Sequence, residues 1–123
     1  MPVRRRAWQT AGMTPRDVQP TEDGRWLVVD GRRWRREDPH LPEEAAARLR
    51  SHLGRARAAV RTARREGPEE RVRAARDRVG LAKTGLGERG TPWWEQTPAE
   101  REARWRRALA RLDELAPPAD RGA

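Results

Sequence analysis

The sequence predicts a mainly helical α+β fold with three parts: a small two-stranded antiparallel β-hairpin, an antiparallel helical hairpin and a third, C-terminal helix. Three observations predict it. An Asp-Gly pair separates two short runs of four to five residues, two segments with matching helical stripes flank a Gly-Pro break, and a Thr-Pro-Ala-Glu sequence opens a third helical stripe. A chain of 123 residues is typical of one domain, which we expect over residues 24–116.

The predicted β-hairpin spans residues 25–36 and turns at Asp30-Gly31. Asp-Gly is a strong hairpin signal because both residues accept the positive φ of a two-residue turn. In this register Leu27 faces Trp34. The hairpin therefore brings two large apolar side chains together on one face.

The two faces of this hairpin differ in character. The face that we expect to pack inward consists of Leu27, Val29 and Trp34. Trp26 lies on the other face, where Arg33 and Arg35 are available as cation–π partners. That face is a candidate docking surface for a partner.

The central helices are predicted over residues 43–66 and 69–86, with Gly67-Pro68 between them. In each helix, apolar residues recur at alternating steps of three and four. The stripes are Leu49, Leu53, Ala56, Val60 and Ala63 in the first helix, and Val72, Ala75, Val79, Ala82 and Leu86 in the second. Two such helices pack most simply as an antiparallel, coiled-coil-like hairpin along these stripes.

The rest of the chain divides into a loop, a helix and two ends. Residues 87–96 contain Gly, Pro and a Trp-Trp pair and are predicted to form a loop. Thr97 begins a capping-box sequence, which predicts a helix over residues 98–115. We expect residues 1–23 to form a flexible basic arm and residues 117–123 a disordered tail.

The composition indicates a polyanionic partner. The chain has 28 Lys and Arg against 19 Asp and Glu, a net charge of +9. A positive field of this size favours nucleic acid or another polyanion. The sequence has no cysteine, which excludes disulfides and thiolate metal sites and favours a cytoplasmic location. No apolar run approaches the roughly 20 residues of a membrane span, and no secretory signal is apparent, so we expect no membrane association.

The helical hairpin is predicted to carry a basic ridge. If Leu49 and Ala56 are d positions of a heptad, the neighbouring e positions of both helices are mostly basic. The predicted ridge comprises Arg50, Arg57, Arg64, Arg76 and Lys83. Like charges at this spacing are mutually destabilising, and phosphate contacts would relieve them. The alternative is a solvated face that reflects the arginine-rich composition.

No catalytic or metal-binding pattern emerges from the sequence. Ser51 and His52 are adjacent on one helix and cannot face each other. Two histidines, His40 and His52, without patterned carboxylates do not suggest a metal site. Ala82 stands before Lys83 where a phosphate-binding loop requires glycine. We therefore expect a non-enzymatic protein without metal or cofactor.

The tryptophans have two interpretations. Exposed aromatic side chains could stack on bases or anchor a partner protein, which makes Trp26, Trp93 and Trp94 candidate partner-binding residues. Alternatively, Trp93 and Trp94 fold back to close the end of a thin core, because few other bulky side chains are available.

Two stretches of the chain resemble a known group of proteins. The first runs from Gly24 to Arg35 with Asp38-Pro39, and the second runs from Ala82 to Glu95. They are similar to short actinobacterial proteins labelled "biopolymer transporter Tol", over about residues 24–95. Similar segments precede a winged-helix-like domain of unknown function in some longer proteins. The label implies a role in envelope transport, and the resemblance brings no established activity.

From the residues themselves, the leading functional hypothesis is a small binding protein that contacts nucleic-acid phosphates through the basic ridge. Arg4 to Arg6 would serve as a mobile basic arm. The alternative is a protein-interaction module that docks through the Trp93-Trp94 loop or the Trp26 face.

Overall fold

The computed structural model describes residues 18–118, and this part of the chain is mostly helical with a small antiparallel sheet, an α+β fold. Its elements are β1 (Val18–Pro20), β2 (Trp26–Val29), β3 (Arg32–Arg35), α1 (Glu43–Glu66), α2 (Glu69–Leu86), a short 3-10 helix (Trp93–Glu95) and α3 (Pro98–Leu115).

The chain divides into two compact units, one ending at Arg36 and the other, the helical unit, starting at Glu37. The single domain expected over residues 24–116 stays a prediction. Most of the expected arm, residues 1–17, and most of the expected tail, residues 119–123, lie outside the described residues.

The sheet has the strand order β1-β2-β3 with antiparallel pairing throughout. Leu27 pairs with Trp34, as the sequence predicted. Asp30 and Gly31 form the turn with φ values of 52° and 81°. The positive φ at both positions confirms the two-residue turn expected from Asp-Gly.

The prediction of two strands was wrong, because the described residues form three. β1 pairs with β2 and places Val18 opposite Val29 and Pro20 opposite Leu27. This strand falls within the predicted arm. It is only three residues long and ends in proline, so it shows no alternation that a sequence pattern could reveal. Its position at the edge of the sheet tolerates proline, which lacks a backbone N–H.

The expected inward packing of Trp34 was also wrong. Trp34 is 44% exposed, whereas Leu27 and Val29 are half-buried. β3 is an edge strand in a sheet of short strands, which is too small to cover an indole ring at its margin. The guanidinium of Arg32 instead stacks on the Trp34 ring, 4.5 Å from its centroid.

The three helices have the predicted bounds, and most residues of the α1 and α2 stripes are buried in the helical unit, whereas Val60, Val72 and Val79 are half-buried. The core cluster comprises Ala45, Leu49, Leu53, Ala82, Leu86, Ala108, Leu109 and Leu112. Ala56, Ala63 and Ala75 are also buried. Small residues along the α1–α2 seam allow these antiparallel helices to approach closely.

None of the helices in residues 18–118 is both long enough and apolar enough to cross a bilayer.

The three helices approach one another closely at Gly85. A Cβ atom on this residue would lie 2.7 Å from Leu49 Cδ2 on α1 and 2.8 Å from Ala108 Cβ on α3. Both distances are far below van der Waals contact. Glycine is therefore required at Gly85 by packing, although it lowers helix propensity.

The loop between α2 and α3 begins with a left-handed glycine and ends with a capping box. Gly87 adopts the left-handed conformation with a φ of 88°, and its N–H donates to the carbonyl of Thr84. At the other end, the Thr97 hydroxyl accepts the N–H of Glu100, and the Glu100 carboxylate accepts the N–H of Thr97. This reciprocal pair confirms the predicted capping box.

We expect Gly85→Ala to destabilise the protein, because overpacking of about 1–3 kcal/mol should exceed the gain in helix propensity of about 1 kcal/mol. Gly54→Ala is the matched control, since nothing lies within 4 Å of a Cβ at Gly54. The control should raise the free energy of unfolding by about 0.5–1 kcal/mol. Urea unfolding of both variants checks this, and equal shifts of the same sign would contradict the close approach.

Candidate nucleic-acid interface

A shallow groove of about 420 Å³ runs along the outside of the α1–α2 seam. We call it the basic groove; it is lined by Arg57, Val60, Arg61, Arg76, Val79 and Arg89. The two valines belong to the predicted stripes and are half-buried, so they form an apolar floor. The four arginines stand around this floor and make the groove strongly cationic.

The charge of the basic groove is not neutralised by direct ion pairs. Among residues 18–118, no carboxylate oxygen lies within 4.0 Å of a guanidinium nitrogen of any of its four arginines. Each repulsive pair of neighbouring cations on a helix surface costs a few tenths of a kcal/mol. An external anion would relieve that repulsion.

Lys83 and Glu88 lie next to the basic groove and affect its charge. Burial lowers the pKa of Lys83, and the charges of Arg89 and Arg57 lower it further, although Glu88 opposes them. Burial raises the pKa of Glu88, as does the charge of Glu37, against the attraction of the surrounding cations. Glu88 is thus a partly desolvated carboxylate at the margin of a cationic surface.

The structure brings only part of the predicted basic ridge together. Arg57 and Arg76 line the basic groove, and Lys83 is half-buried beside it. Arg64, in the last turn of α1, is exposed and does not line the groove. The fifth predicted residue, Arg50, is engaged elsewhere.

Arg50 forms an ion pair within the helical unit. Its Nη2 and Nε donate to the Glu37 carboxylate at 2.9 Å and 3.3 Å, and its Nη1 lies 3.8 Å from Glu43. The hydrogen bond to Glu37 raises the pKa of Arg50. Its charge is therefore largely offset.

Two arginines of the basic groove were missed by the sequence analysis. Arg61 lies one turn after Arg57 on α1, and the heptad assignment excluded it because only e positions were considered. Arg89 follows α2, where the left-handed Gly87 reverses the chain and returns Arg89 to the helix surface. The four-residue spacing could have indicated Arg61, whereas the position of Arg89 required the geometry of the turn.

A buried ion pair holds the loops of the helical unit together. Asp38 is 1% exposed and Arg104 is 7% exposed. Arg104 donates from Nη2 to Asp38 Oδ2 at 2.8 Å, from Nε to the Gly85 carbonyl at 3.2 Å, and from Nη1 to Gln96 Oε1 at 2.6 Å. The N–H of Asp38 donates to the Leu86 carbonyl. One guanidinium thus joins the segment before α1, the end of α2, the loop and α3.

The tryptophan pair packs beside this ion pair. Trp93 is only 7% exposed, and its ring makes edge contacts with His40 and Trp94 at centroid distances of 6.1 Å and 5.1 Å. Arg101 donates from Nε to the Trp93 carbonyl at 2.9 Å. Trp93 therefore closes the core, and Trp94 is half-buried against it.

Trp26, the third candidate partner-binding residue, lies in the other unit and is half-buried. The Arg33 guanidinium stacks on its ring, 4.3 Å from the centroid. This contact confirms the cation–π pair expected with Arg33.

His52 is buried with both ring nitrogens engaged. Nδ1 lies 3.1 Å from Nη2 of Arg55, and Nε2 lies 2.8 Å from Oδ1 of Asp113. A guanidinium can only donate, so Nδ1 accepts and Nε2–H donates to the carboxylate. Neither nitrogen is available as a proton acceptor for a substrate, and Ser51 is exposed beside it.

Within residues 18–118, no three His, Asp or Glu side chains stand close enough to share a metal ion.

Comparison of the chain with protein-family models, with curated proteins and with solved structures finds no match. The resemblance over residues 24–95 therefore stays a prediction.

We expect Asp38→Asn to lower the free energy of unfolding by about 3–5 kcal/mol, because it leaves a buried guanidinium without its counter-charge. Asp77→Asn is the matched control at an exposed position, and should change stability by less than about 0.5 kcal/mol. Chemical denaturation measures both.

The pH dependence provides a second readout of the same pair. Burial alone would raise the pKa of Asp38, but the hydrogen bonds from Arg104 and from the His40 N–H, with the charge of Arg104, lower it overall. The folded state therefore binds this proton less tightly than the unfolded state. The stabilisation is complete above the unfolded pKa of about 3.9 and is lost as the pH falls through the lower folded pKa. The measurement is the free energy of unfolding as a function of pH in the acid range. An identical dependence in the wild type and in Asp38→Asn would contradict this role of Asp38.

Proposed function

We propose that this protein is a small non-enzymatic protein that binds nucleic-acid phosphates through the basic groove of its helical hairpin. The observation that carries the proposal is the set of four arginines lining one groove without a carboxylate within 4.0 Å in residues 18–118. Such a surface is destabilising by itself and becomes favourable when phosphates occupy it.

The physics of phosphate binding fits this surface. A protein that neutralises phosphates releases condensed counterions, so affinity is gained without base recognition. Guanidinium groups suit this role because their fork geometry matches two phosphate oxygens. Phosphate contacts fix position and carry no sequence information. We therefore infer a binder with little sequence preference.

Other cations would extend the contact beyond the basic groove. Lys83 and Arg64 lie on the same hairpin and could reach neighbouring phosphates, whereas Arg50 contributes less because of Glu37. The basic residues Arg4 to Arg6 belong to the N-terminal segment outside the described residues. We assign them an auxiliary role.

The alternative function, a protein-interaction module, has weaker support. Burial of Trp93 at 7% exposure withdraws the main anchor of the proposed tryptophan docking surface. Trp94 and Trp26 are half-buried. The envelope-transport role implied by the resemblance likewise has no support in the geometry, and the cysteine-free sequence leads us to propose a cytoplasmic location.

The first test removes two cations from the basic groove. We expect Arg57→Gln with Arg76→Gln to weaken binding to duplex DNA and to reduce the slope of log K against log salt by about 2, because about 0.9 is lost per phosphate contact. Fluorescence anisotropy over a salt series measures both quantities.

The matched control is Arg71→Gln with Arg106→Gln, which removes the same net charge from exposed positions outside the basic groove. Its salt slope should stay near the wild-type value. Equal losses in both double variants would mean that only net charge matters, and absence of DNA binding by the wild type would refute the proposal. A lysate pull-down with and without nuclease then distinguishes a nucleic-acid partner from a protein partner.

The second test removes the Glu88 carboxylate at the margin of the basic groove. Glu88→Gln should tighten DNA binding by about two- to fivefold at ~0.1 M salt, because a partly desolvated negative charge near Arg57 and Arg89 is removed. Glu44→Gln, at an exposed position in the first turn of α1, is the control and should leave affinity nearly unchanged. Weaker binding of Glu88→Gln would show that phosphates do not approach this margin.

A further inference from the structure

A second concave surface lies between α2 and α3, on another side of α2 from the seam. This α2–α3 cleft has a volume of about 630 Å³ and is bounded by the loop that follows α2. Sites for small organic ligands typically measure about 300–1,000 Å³. The cleft lies entirely within the helical unit.

The α2–α3 cleft carries an excess of positive charge. Arg89 and Arg107 line it, and neither has a carboxylate within 4.0 Å among residues 18–118. Arg111 also lines it but is paired with Glu114 at 3.0 Å. The acidic residue of the lining, Glu100, already accepts the Thr97 N–H in the capping box. Two cations are therefore available to a ligand.

A fixed neutral donor accompanies these cations. The Gln96 side chain also lines the cleft, and its Oε1 accepts the hydrogen bond from the buried Arg104 at 2.6 Å. Since a guanidinium only donates, this contact fixes the amide orientation and leaves the Gln96 NH₂ group as a donor. Apolar lining is supplied by Leu81, Ala103 and Ala108. The cleft thus combines anion-binding groups with an apolar wall.

We propose that the α2–α3 cleft binds a small phosphate monoester. Its phosphate contacts Arg89 and Arg107, and its apolar body packs on the apolar wall that includes Leu81. Two guanidinium groups and an amide supply several donors for phosphate oxygens, and the wall favours a flat hydrophobic substituent.

Arg89 gives this site a second property, which rests on the proposed function. Arg89 lines both the α2–α3 cleft and the basic groove. A ligand that binds the Arg89 guanidinium in the α2–α3 cleft leaves the basic groove with one cation fewer. The small phosphate and the nucleic acid therefore weaken each other's binding by the same factor.

Phenyl phosphate is the probe, titrated into the full-length protein by isothermal calorimetry. We expect saturable binding that Arg107→Gln weakens by about tenfold or more, and that Arg106→Gln leaves within about twofold. Arg106 is the matched control, since it neighbours Arg107 but lies outside the cleft and pairs with Glu102. Inorganic phosphate should bind more weakly, because it cannot use the apolar wall.

The outcomes separate the two proposals. No binding of phenyl phosphate, or equal losses in both arginine variants, overturns the cleft as a ligand site. Equal affinity for inorganic phosphate overturns the proposed contact between the apolar body of the ligand and the apolar wall, and with it the assignment of a phosphate monoester. If phenyl phosphate binds as expected but DNA does not, the cleft stands and the nucleic-acid function fails. If both bind, displacement of DNA from Arg107→Gln should require about tenfold more phenyl phosphate, or more, than displacement from the wild type. Displacement that is equal in both would overturn the competition through Arg89.

Discussion

A buried carboxylate and a buried guanidinium, Asp38 and Arg104, tie together four segments of the helical unit. The charge of Arg104 is tolerable in the interior only because Asp38, the Gly85 carbonyl and the Gln96 amide all accept its hydrogen bonds. Each of these acceptors belongs to a different segment. The pair therefore makes the loop before α1, the end of α2 and the loop before α3 interdependent.

The buried ion pair also determines the position of Arg89 on the surface. A Cβ atom on Gly87 would lie 3.0 Å from Asp38 Cβ and 3.2 Å from Trp93 Cδ1, so the chain reversal after α2 is held against the ion pair and the tryptophan. Arg89 follows this reversal by two residues. The buried pair thus positions the residue that lines both the basic groove and the α2–α3 cleft.

The helices could be predicted from sequence because their signals are local. Apolar stripes, the Gly67-Pro68 break and the capping box at Thr97 each depend on residues within a few positions of each other, and the structure places the helix bounds where they were expected. The turn at Asp30-Gly31 was predictable for the same reason. Strand β1 was not, because three residues ending in proline carry no period.

The candidate site was predictable only in part, because its members come from three segments. Arg57 and Arg76 followed from the heptad assignment, whereas Arg89 depends on a left-handed glycine and on tertiary contacts that no local pattern encodes. The ion pair between Arg50 and Glu37 could not be predicted either, because Glu37 lies thirteen residues away in a loop. The Asp38–Arg104 pair spans sixty-six residues and had no sequence signal.

The alanine seam between α1 and α2 has a consequence for the exterior of the protein. Ala56, Ala63, Ala75 and Ala82 are buried there, and small side chains at a helix contact permit interaxial distances of about 8 Å instead of about 10 Å. The spacing between the helix axes sets how far apart the arginines on the two helices stand. The small side chains buried in the seam thus help to set the density of positive charge on the surface. Larger side chains in the seam would lower that density without altering any charged residue.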